Sequence, residues 1–482
     1  MSKKPTTEKN RIAGNVVSQI IGRVIVLVMA LITIKLISSY SGTEGMGYYN
    51  TIITYLSFFI AIADFGLFSI GVREIAKNPE KKQQLLNNIF TIRLISALVV
   101  TTVAVIIAQL TSYPPIIKHG VLIASFFLFF NLAGSVFDMI FQTRMTMKNV
   151  ALAEVIAKVV SLIALSAVVF FKLDFLWIIA TLSIAALASF TVKYILTAKE
   201  EMPNLGWDPA IIKEITYMAL PFGMIFILNN FYFKVDTLIL FYFKGASQVG
   251  IYAVAYRVLE TTMFVAGYLA HSLKPLFSAN IESDKQKTAS ATSSGIIFLL
   301  AISLAISVIC IPNARDIIVF LSTDDFAGGA PLIIILAFAS LFIYMNTLIS
   351  EILIAKDARK YLLTMAISVL SFNVIANIIL IPIFSFYAAA ILTLISELLI
   401  FSLGLHKAKK IIPLKLDIGR IFKLLFAATV SIALAFILSA SGLYFMLTII
   451  ISTGFYAWIV YLIDAVPKEM VKNYLISLKK NG

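Results

Sequence analysis

Six basic side chains stand inside otherwise apolar segments of the chain: Arg23, Lys35, Arg93, Lys158, Lys234 and Arg257. Acidic residues share that setting, among them Asp64, Asp138, Glu154, Asp236, Glu260, Glu351 and Glu397. An ionised group in such a segment is costly unless it meets water or a partner, so each is a candidate for binding chemistry. Arg offers a planar fork of donors that fits phosphate oxygens, and Lys a compact point charge. Depth ranks the cations. Arg23 lies about 11 residues, roughly 16 Å of helix, from the nearer end of its segment. Lys234 and Arg257 lie about 9 residues, roughly 14 Å, from theirs. All three reach a depth where snorkelling is hardest. Lys35 is near a segment end and can snorkel, and Arg93 is open to either role.

Spacing limits the pairs these residues can form. Glu154 and Lys158, four apart, read as an intrahelical pair, and Arg257 and Glu260, three apart, can neutralise each other. Lys234 and Asp236 are two apart and point to different faces. Asp64 and Asp236 fit a proton- or sodium-linked carboxylate, or a partner that holds a base in place. Asp138, Glu351 and Glu397 fit interfacial positions or interhelical pairs. The chain has one Cys (Cys310) and three His in separate segments, which argues against a thiolate cluster or a His-built metal site. It carries no phosphate-cradling glycine loop, nucleophile elbow or metal-binding helix motif. A non-enzyme with no metal or cofactor is expected, driven by a proton or sodium gradient or by downhill flow.

The elements that must position these residues are helices in a membrane. Of 482 residues, 60% are hydrophobic and 13% charged, against about 45–50% and about 25% in soluble domains. Fourteen apolar segments are long enough to span: 12–37, 46–70, 87–110, 119–142, 150–171, 174–196, 214–243, 248–272, 289–311, 328–353, 361–381, 384–405, 419–438 and 441–464. None alternates with period two, so a barrel is excluded. The net charge of +14 would suit nucleic acid in a soluble chain, but here it reads as topology. Of 39 Lys and Arg, four (Lys118, Lys172, Lys244 and Arg315) fall in odd-numbered loops, six lie deeper within spans, and 29 fall at the termini, in even-numbered loops and at the span ends that adjoin those loops. That asymmetry predicts a multi-pass cell-membrane protein with both termini cytoplasmic. No cleavable signal peptide is expected.

Residues 199–213, with Pro203, Gly206 and Pro209, read as a cytoplasmic linker between an N-lobe (1–198) and a C-lobe (214–410) of six spans each. Residues 411–482 add two accessory helices and a tail. Thr33-Ile-Lys-Leu before Gly47-Tyr48-Tyr49 is echoed by Thr237-Leu-Ile-Leu before Gly250-Ile251-Tyr252. Asp138 with Arg144 is echoed by Glu351 with Lys356. Six helices separate the copies, so the repeats are parallel, an arrangement in which substrate binds at the lobe interface.

Three strings carry a resemblance. Ala61-Ile-Ala-Asp64-Phe-Gly66-Leu with Gly71-Val-Arg73-Glu74-Ile-Ala resembles the second-span signature of the oligosaccharide-lipid flippases, within the multidrug/oligosaccharidyl-lipid/polysaccharide exporter superfamily. Lys234-Val-Asp236-Thr-Leu-Ile-Leu with Val249-Gly250-Ile-Tyr252-Ala-Val-Ala-Tyr256-Arg257 is similar to that family's junction of spans seven and eight. Asn373-Val-Ile-Ala-Asn377-Ile-Ile-Leu-Ile-Pro382 with Ala388-Ala-Ala-Ile-Leu-Thr-Leu-Ile-Ser-Glu397 resembles its spans eleven and twelve. Where that family usually has glycines after the Pro, Ser385, Phe386 and Tyr387 stand instead. The resemblance implies an all-α, fourteen-helix protein with two pseudo-symmetric lobes around a cavity. It implies movement of a polyprenyl-(di)phosphate-linked oligosaccharide to the outer leaflet by alternating access, for surface-glycan assembly.

On that reading Arg23, Arg93, Lys234 and Arg257 are candidates for binding the anionic head, and Asp64, Asp236 and Glu260 for coupling or charge pairing. Tyr232, Tyr252 and Tyr256 are candidates for glycan contact, while most of the 37 Phe, 19 Tyr and 3 Trp read as lipid-facing or interfacial. A monomer among membrane lipids is expected, with glycan-assembly enzymes as candidate partners and no nucleic acid. A multidrug cation antiporter of the same superfamily and a murein-precursor flippase stay open as alternatives.

Overall fold

A computed structural model describes residues 8–198 and 202–467, and side chains from Gly22 onward. Helices follow in order: α1 (Glu8–Asp64), α2 (Leu67–Lys77), α3 (Lys82–Leu110), α4 (Pro115–Thr143), α5 (Lys148–Phe170), α6 (Phe175–Ala198) and α7 (Pro209–Asn280). The rest are α8 (Lys285–Cys310), α9 (Ala314–Leu321), α10 (Ala330–Ala355), α11 (Arg359–Phe384), α12 (Phe386–Ile411), α13 (Ile418–Ala440) and α14 (Phe445–Leu462). Among the described residues there is no strand.

Twelve helical stretches are long and apolar enough to cross a membrane, and two of them are bipartite. α1 contains Gly42 (φ 63°, ψ −166°) and α7 contains Gly245 (φ 79°, ψ −177°). Each glycine marks the turn between two expected spans, one and two or seven and eight, so all fourteen segments are present. The two glycines also occupy equivalent points of the sequence repeat. This backbone region is essentially closed to residues with a Cβ. Because nothing lies within 4 Å of a Cβ built on Gly245, Gly245→Ala tests backbone strain alone. It should lower stability by about 1–3 kcal/mol, read as a lower unfolding midpoint in detergent.

Packing groups the chain into two units that divide between Leu238 and Ile239, inside α7. The seventh span therefore packs with α1–α6. The core of the first unit joins α2, α3, α4 and the start of α7 through Ile70, Leu86, Phe137, Ile140, Phe141 and Ala219. In the second unit α10 packs against α8 and α12, and α13 and α14 pack against α8. Tyr456 of α14 donates to the Ala301 carbonyl (2.9 Å), and Tyr344 of α10 to the Thr262 carbonyl (2.7 Å). The last two helices, which read as an appendage, thus share the second unit's core. Large apolar side chains such as Leu98, Leu110, Phe126, Ile163 and Ile450 point outward, as helices bathed in lipid require.

Ser385, at the family's glycine-rich turn, adopts φ 55°, and its hydroxyl donates to Oε1 of Gln248 (2.9 Å). The backbone there keeps a glycine-like geometry although the glycine is gone. Between α7 and α8, Glu282 accepts from the Lys356 ammonium, which holds its carboxyl below the usual range. The stabilisation from a carboxylate of lowered pKa is present above the unfolded value, about 4.3, and disappears as pH falls through the folded one. Glu282→Gln should therefore lower the unfolding midpoint slightly at pH 7, and the difference from wild type should shrink as pH falls through the folded value.

Candidate functional site

The first unit gathers intramembrane charge around a break in the second span. α1 ends at Asp64, Phe65 (φ 41°) and Gly66 (φ 76°) leave helical geometry, and α2 resumes at Leu67. The seventh span demands the glycine. A Cβ on Gly66 would come within 2.8 Å of the Ala219 carbonyl oxygen and the Gly223 nitrogen, and one on Gly223 within 2.6 Å of Phe65 backbone atoms. Around the break, the Gly66 N–H donates to Oδ2 of Asp64 (3.2 Å). Oδ1 of Asp64 forms an ion pair with Arg93 of α3.

Arg93 is 0% exposed, which excludes snorkelling. Its Nε and Nη1 have no hydrogen-bond partner among the described residues. A guanidinium carries five donors, so Asp64 occupies only part of this one. Close by, Lys193 of α6 donates to Oδ2 of Asp138 on α4 (2.7 Å), while Oδ1 of Asp138 is buried without a partner. Asp138 also feels the charge of Arg93, and Glu154 on α5 feels Lys193, Asp138, Arg23 and Lys158. Four cations and three carboxylates form this cluster. Arg23 is exposed, Lys158 half-buried and Arg93 buried.

Lys234 is half-buried and Asp236 buried. Oδ1 of Asp236 accepts from the Thr237 N–H (2.6 Å). Tyr232 is half-buried, with its ring against Phe233.

In the second unit Arg257 and Glu260 form the i,i+3 pair that spacing allowed, at 2.9 Å, with side chains 33% and 23% exposed. Tyr252 and Tyr256 pack ring against ring, centroids 5.4 Å apart, and both are buried. In this conformation their faces meet protein.

Lys193 stands near the end of the sixth expected span, and α6 continues past it to Ala198. Asp138 forms an interhelical pair, one of the two options left open for it. Glu397 of α12 accepts from Nδ2 of Asn346 on α10, at its carboxylate (2.8 Å) and its carbonyl (3.0 Å). Asn373 donates to the Ser396 hydroxyl (3.0 Å), and Asn377 to Asn373 (2.8 Å to the carbonyl). The i,i+4 spacing of Asn373 and Asn377 was the available signal, because it stacks two amides on one helix face. Glu351, buried, pairs with Nδ1 of His271 at 2.6 Å. Among the described residues no group of three or more His, Cys, Asp or Glu gathers as metal ligands do.

The fold and these sites invite comparison with known proteins. A family described as polysaccharide biosynthesis protein matches residues 12–281, and one described as MatE matches residues 221–383. Among solved structures, the chain is similar to the lipid II flippase MurJ in an inward closed conformation. The TM-score is 0.77 at 15% identity, over 93% of this chain and 98% of that one. It is similar to an inward-facing multidrug resistance MATE family transporter of the MOP superfamily (TM-score 0.65, 14% identity, 81% of this chain and 98% of that one). A Vibrio cholerae MATE transporter, VcmN in its bent form, gives a TM-score of 0.53 at 14% identity, over 84% of this chain and all of that one. No curated protein matches the sequence.

Proposed function

Since the chain belongs to the polysaccharide biosynthesis protein family, within the superfamily of MOP transporters and flippases, we propose that it flips a polyprenyl-(di)phosphate-linked oligosaccharide from the inner to the outer leaflet by alternating access. The observation that carries this reading is the cluster of intramembrane charge around Arg93, in which two nitrogens of a buried guanidinium have no partner among the described residues. Phosphate oxygens are the natural ligands of such a fork. Arg23, exposed within the membrane-spanning part of α1, would meet the anionic head first, with Lys234 and Arg257 as further contacts.

Competition is the working element. A phosphate and the carboxylate of Asp64 seek the same guanidinium, so an arriving head group would compete with Asp64 for Arg93. Asp236, buried beside Thr237, is the second candidate for ion coupling, to protons or sodium. The termini lie in the cytoplasm, and the chain works as a monomer that receives substrate from glycan-assembly enzymes. No catalytic step is assigned to it.

The MatE match over residues 221–383 supports a second reading, a multidrug cation antiporter. A cation site calls for a surplus of carboxylates, whereas the cluster here has four bases to three acids. A murein-precursor flippase would use the same diphosphate chemistry with a different glycan. Complementation separates the three: restored surface polysaccharide in a flippase-deficient strain supports the proposal. Rescue of murein synthesis alone, or only drug resistance, contradicts it. If Asp236 couples an ion, Asp236→Asn should abolish gradient-driven transport in proteoliposomes, while unchanged gradient dependence would remove that role.

A further inference from the structure

A second polar recess lies in the second unit, away from every residue considered above. It is a cavity of about 230 Å³ formed by the start of α8, the connection from α12 to α13, and the first turn of α13. The 406–423 stretch that forms one wall belongs to the basic set of loops and carries Lys407, Lys409, Lys410, Lys415, Arg420 and Lys423 against one acid, Asp417.

The wall on α8 is unusual in its chemistry. Ser290, Ser293 and Ser294 line the cavity at i, i+3 and i+4 spacing, which puts three hydroxyls on one face. Other hydroxyls of the same helix turn inward: Thr292 donates to the Thr288 carbonyl (2.7 Å), Ser303 to Leu300 (3.0 Å) and Ser307 to Ser303 (3.1 Å). The three cavity serines make no such bond among the described residues. Opposite them, Lys415 lines the cavity and forms no ion pair among the described residues. Arg420 is held at the mouth by Asp417, which accepts from its Nε (3.2 Å) and from its backbone N–H (3.1 Å). The floor is apolar, with Ile297 2% exposed.

Lys415, the Arg420 side chain paired with Asp417 and three hydroxyl donors line the recess, a set whose net positive charge and donors suit a phosphate group. Free phosphate and a lipid headgroup share that chemistry, and the surroundings favour the lipid. The recess lies between the end of α12 and the start of α13, two membrane-spanning helices, at the level where lipid headgroups stand. A headgroup phosphate can enter it from the adjoining leaflet. We propose that this cavity binds the phosphate headgroup of an anionic membrane phospholipid, tying the α13–α14 pair to the basic face of the membrane. The site is independent of the transport reading, since it uses none of the intramembrane charges.

The test uses the full-length purified protein and measures lipid retention by native mass spectrometry and the unfolding midpoint. Lipids are short-chain phosphatidylglycerol, phosphatidylcholine and, as a separate arm, inorganic phosphate. Phosphatidylglycerol should bind and raise the midpoint more than phosphatidylcholine, and inorganic phosphate at equal concentration should do neither. The Ser293→Ala/Ser294→Ala/Lys415→Ala variant should bind phosphatidylglycerol about tenfold or more weakly, with an unchanged midpoint in phosphatidylcholine. Lys415→Ser alone, a change in an exposed connection, should show part of that loss and guards against a folding defect. Equal phosphatidylglycerol binding by wild type and both variants overturns the proposal. Full protection by inorganic phosphate overturns the lipid assignment.

Discussion

Asp64→Ala is expected to cost about 3–5 kcal/mol of stability, the penalty for leaving a buried charge without its partner. The charge is that of Arg93, which is 0% exposed and pairs with Asp64. Asp64 also receives the Gly66 N–H at the helix break, so its loss frees the backbone as well. The change should appear as a lower unfolding midpoint and reduced membrane abundance. Adding Arg93→Met, which removes the stranded charge, should restore most of the abundance but not glycan export. If the single variant is as stable as wild type, Arg93 reaches another anion or water, and the pair is not what holds the break. If the double variant also exports normally, the pair is structural alone.

That pair shows how much of the site a sequence discloses. Asp64 and Arg93 were both legible as charges in apolar segments, but their partnership was not. They lie 29 residues apart, and they meet because Phe65 and Gly66 break the helix where the seventh span presses against it. The pair of Arg257 and Glu260 was readable, because i,i+3 spacing on one helix needs no tertiary information. The spans themselves were readable because lipid imposes long apolar runs. The turns between spans one and two and between seven and eight were harder: the helix runs through them, broken by one glycine each, so no polar loop announces them. Tyr252 and Tyr256 stand on one helix face, yet spacing does not say whether that face meets a cavity or a neighbouring helix. Lys193 was missed for a related reason. A basic residue near a span's end resembles a topology signal until Asp138 on another helix is seen to hold it.

The second large effect concerns the cations themselves. Arg23→Ala, Lys234→Ala and Arg257→Ala should each reduce glycan export about 10–100-fold, the loss of one charge-assisted contact of about 1.5–3 kcal/mol. Protein level and membrane insertion should stay at the wild-type value, since none of the three is fully buried. Arg257→Ala leaves Glu260 without its ion-pair partner, so Arg257→Ala/Glu260→Ala separates that side effect from lost binding. The Lys substitution at Arg23 should recover part of the export, because charge persists while the planar fork is lost. Surface-glycan quantification normalised to membrane protein level measures all of these. Normal export in all three Ala variants would remove them from the head-group site.

Labelling of single cysteines tests most directly whether the mid-membrane cations face water. The native thiol, Cys310, is buried and free, so a Cys310→Ser background leaves position 23, 234 or 257 as the one reactive thiol when changed to Cys. A charged, membrane-impermeant maleimide applied to cells and to inverted vesicles should modify each position from at least one side. Polyprenyl diphosphate should slow the modification. Labelling of all three only by a lipid-soluble maleimide, unaffected by polyprenyl diphosphate, would place these side chains against acyl chains and contradict their role in binding an anionic head.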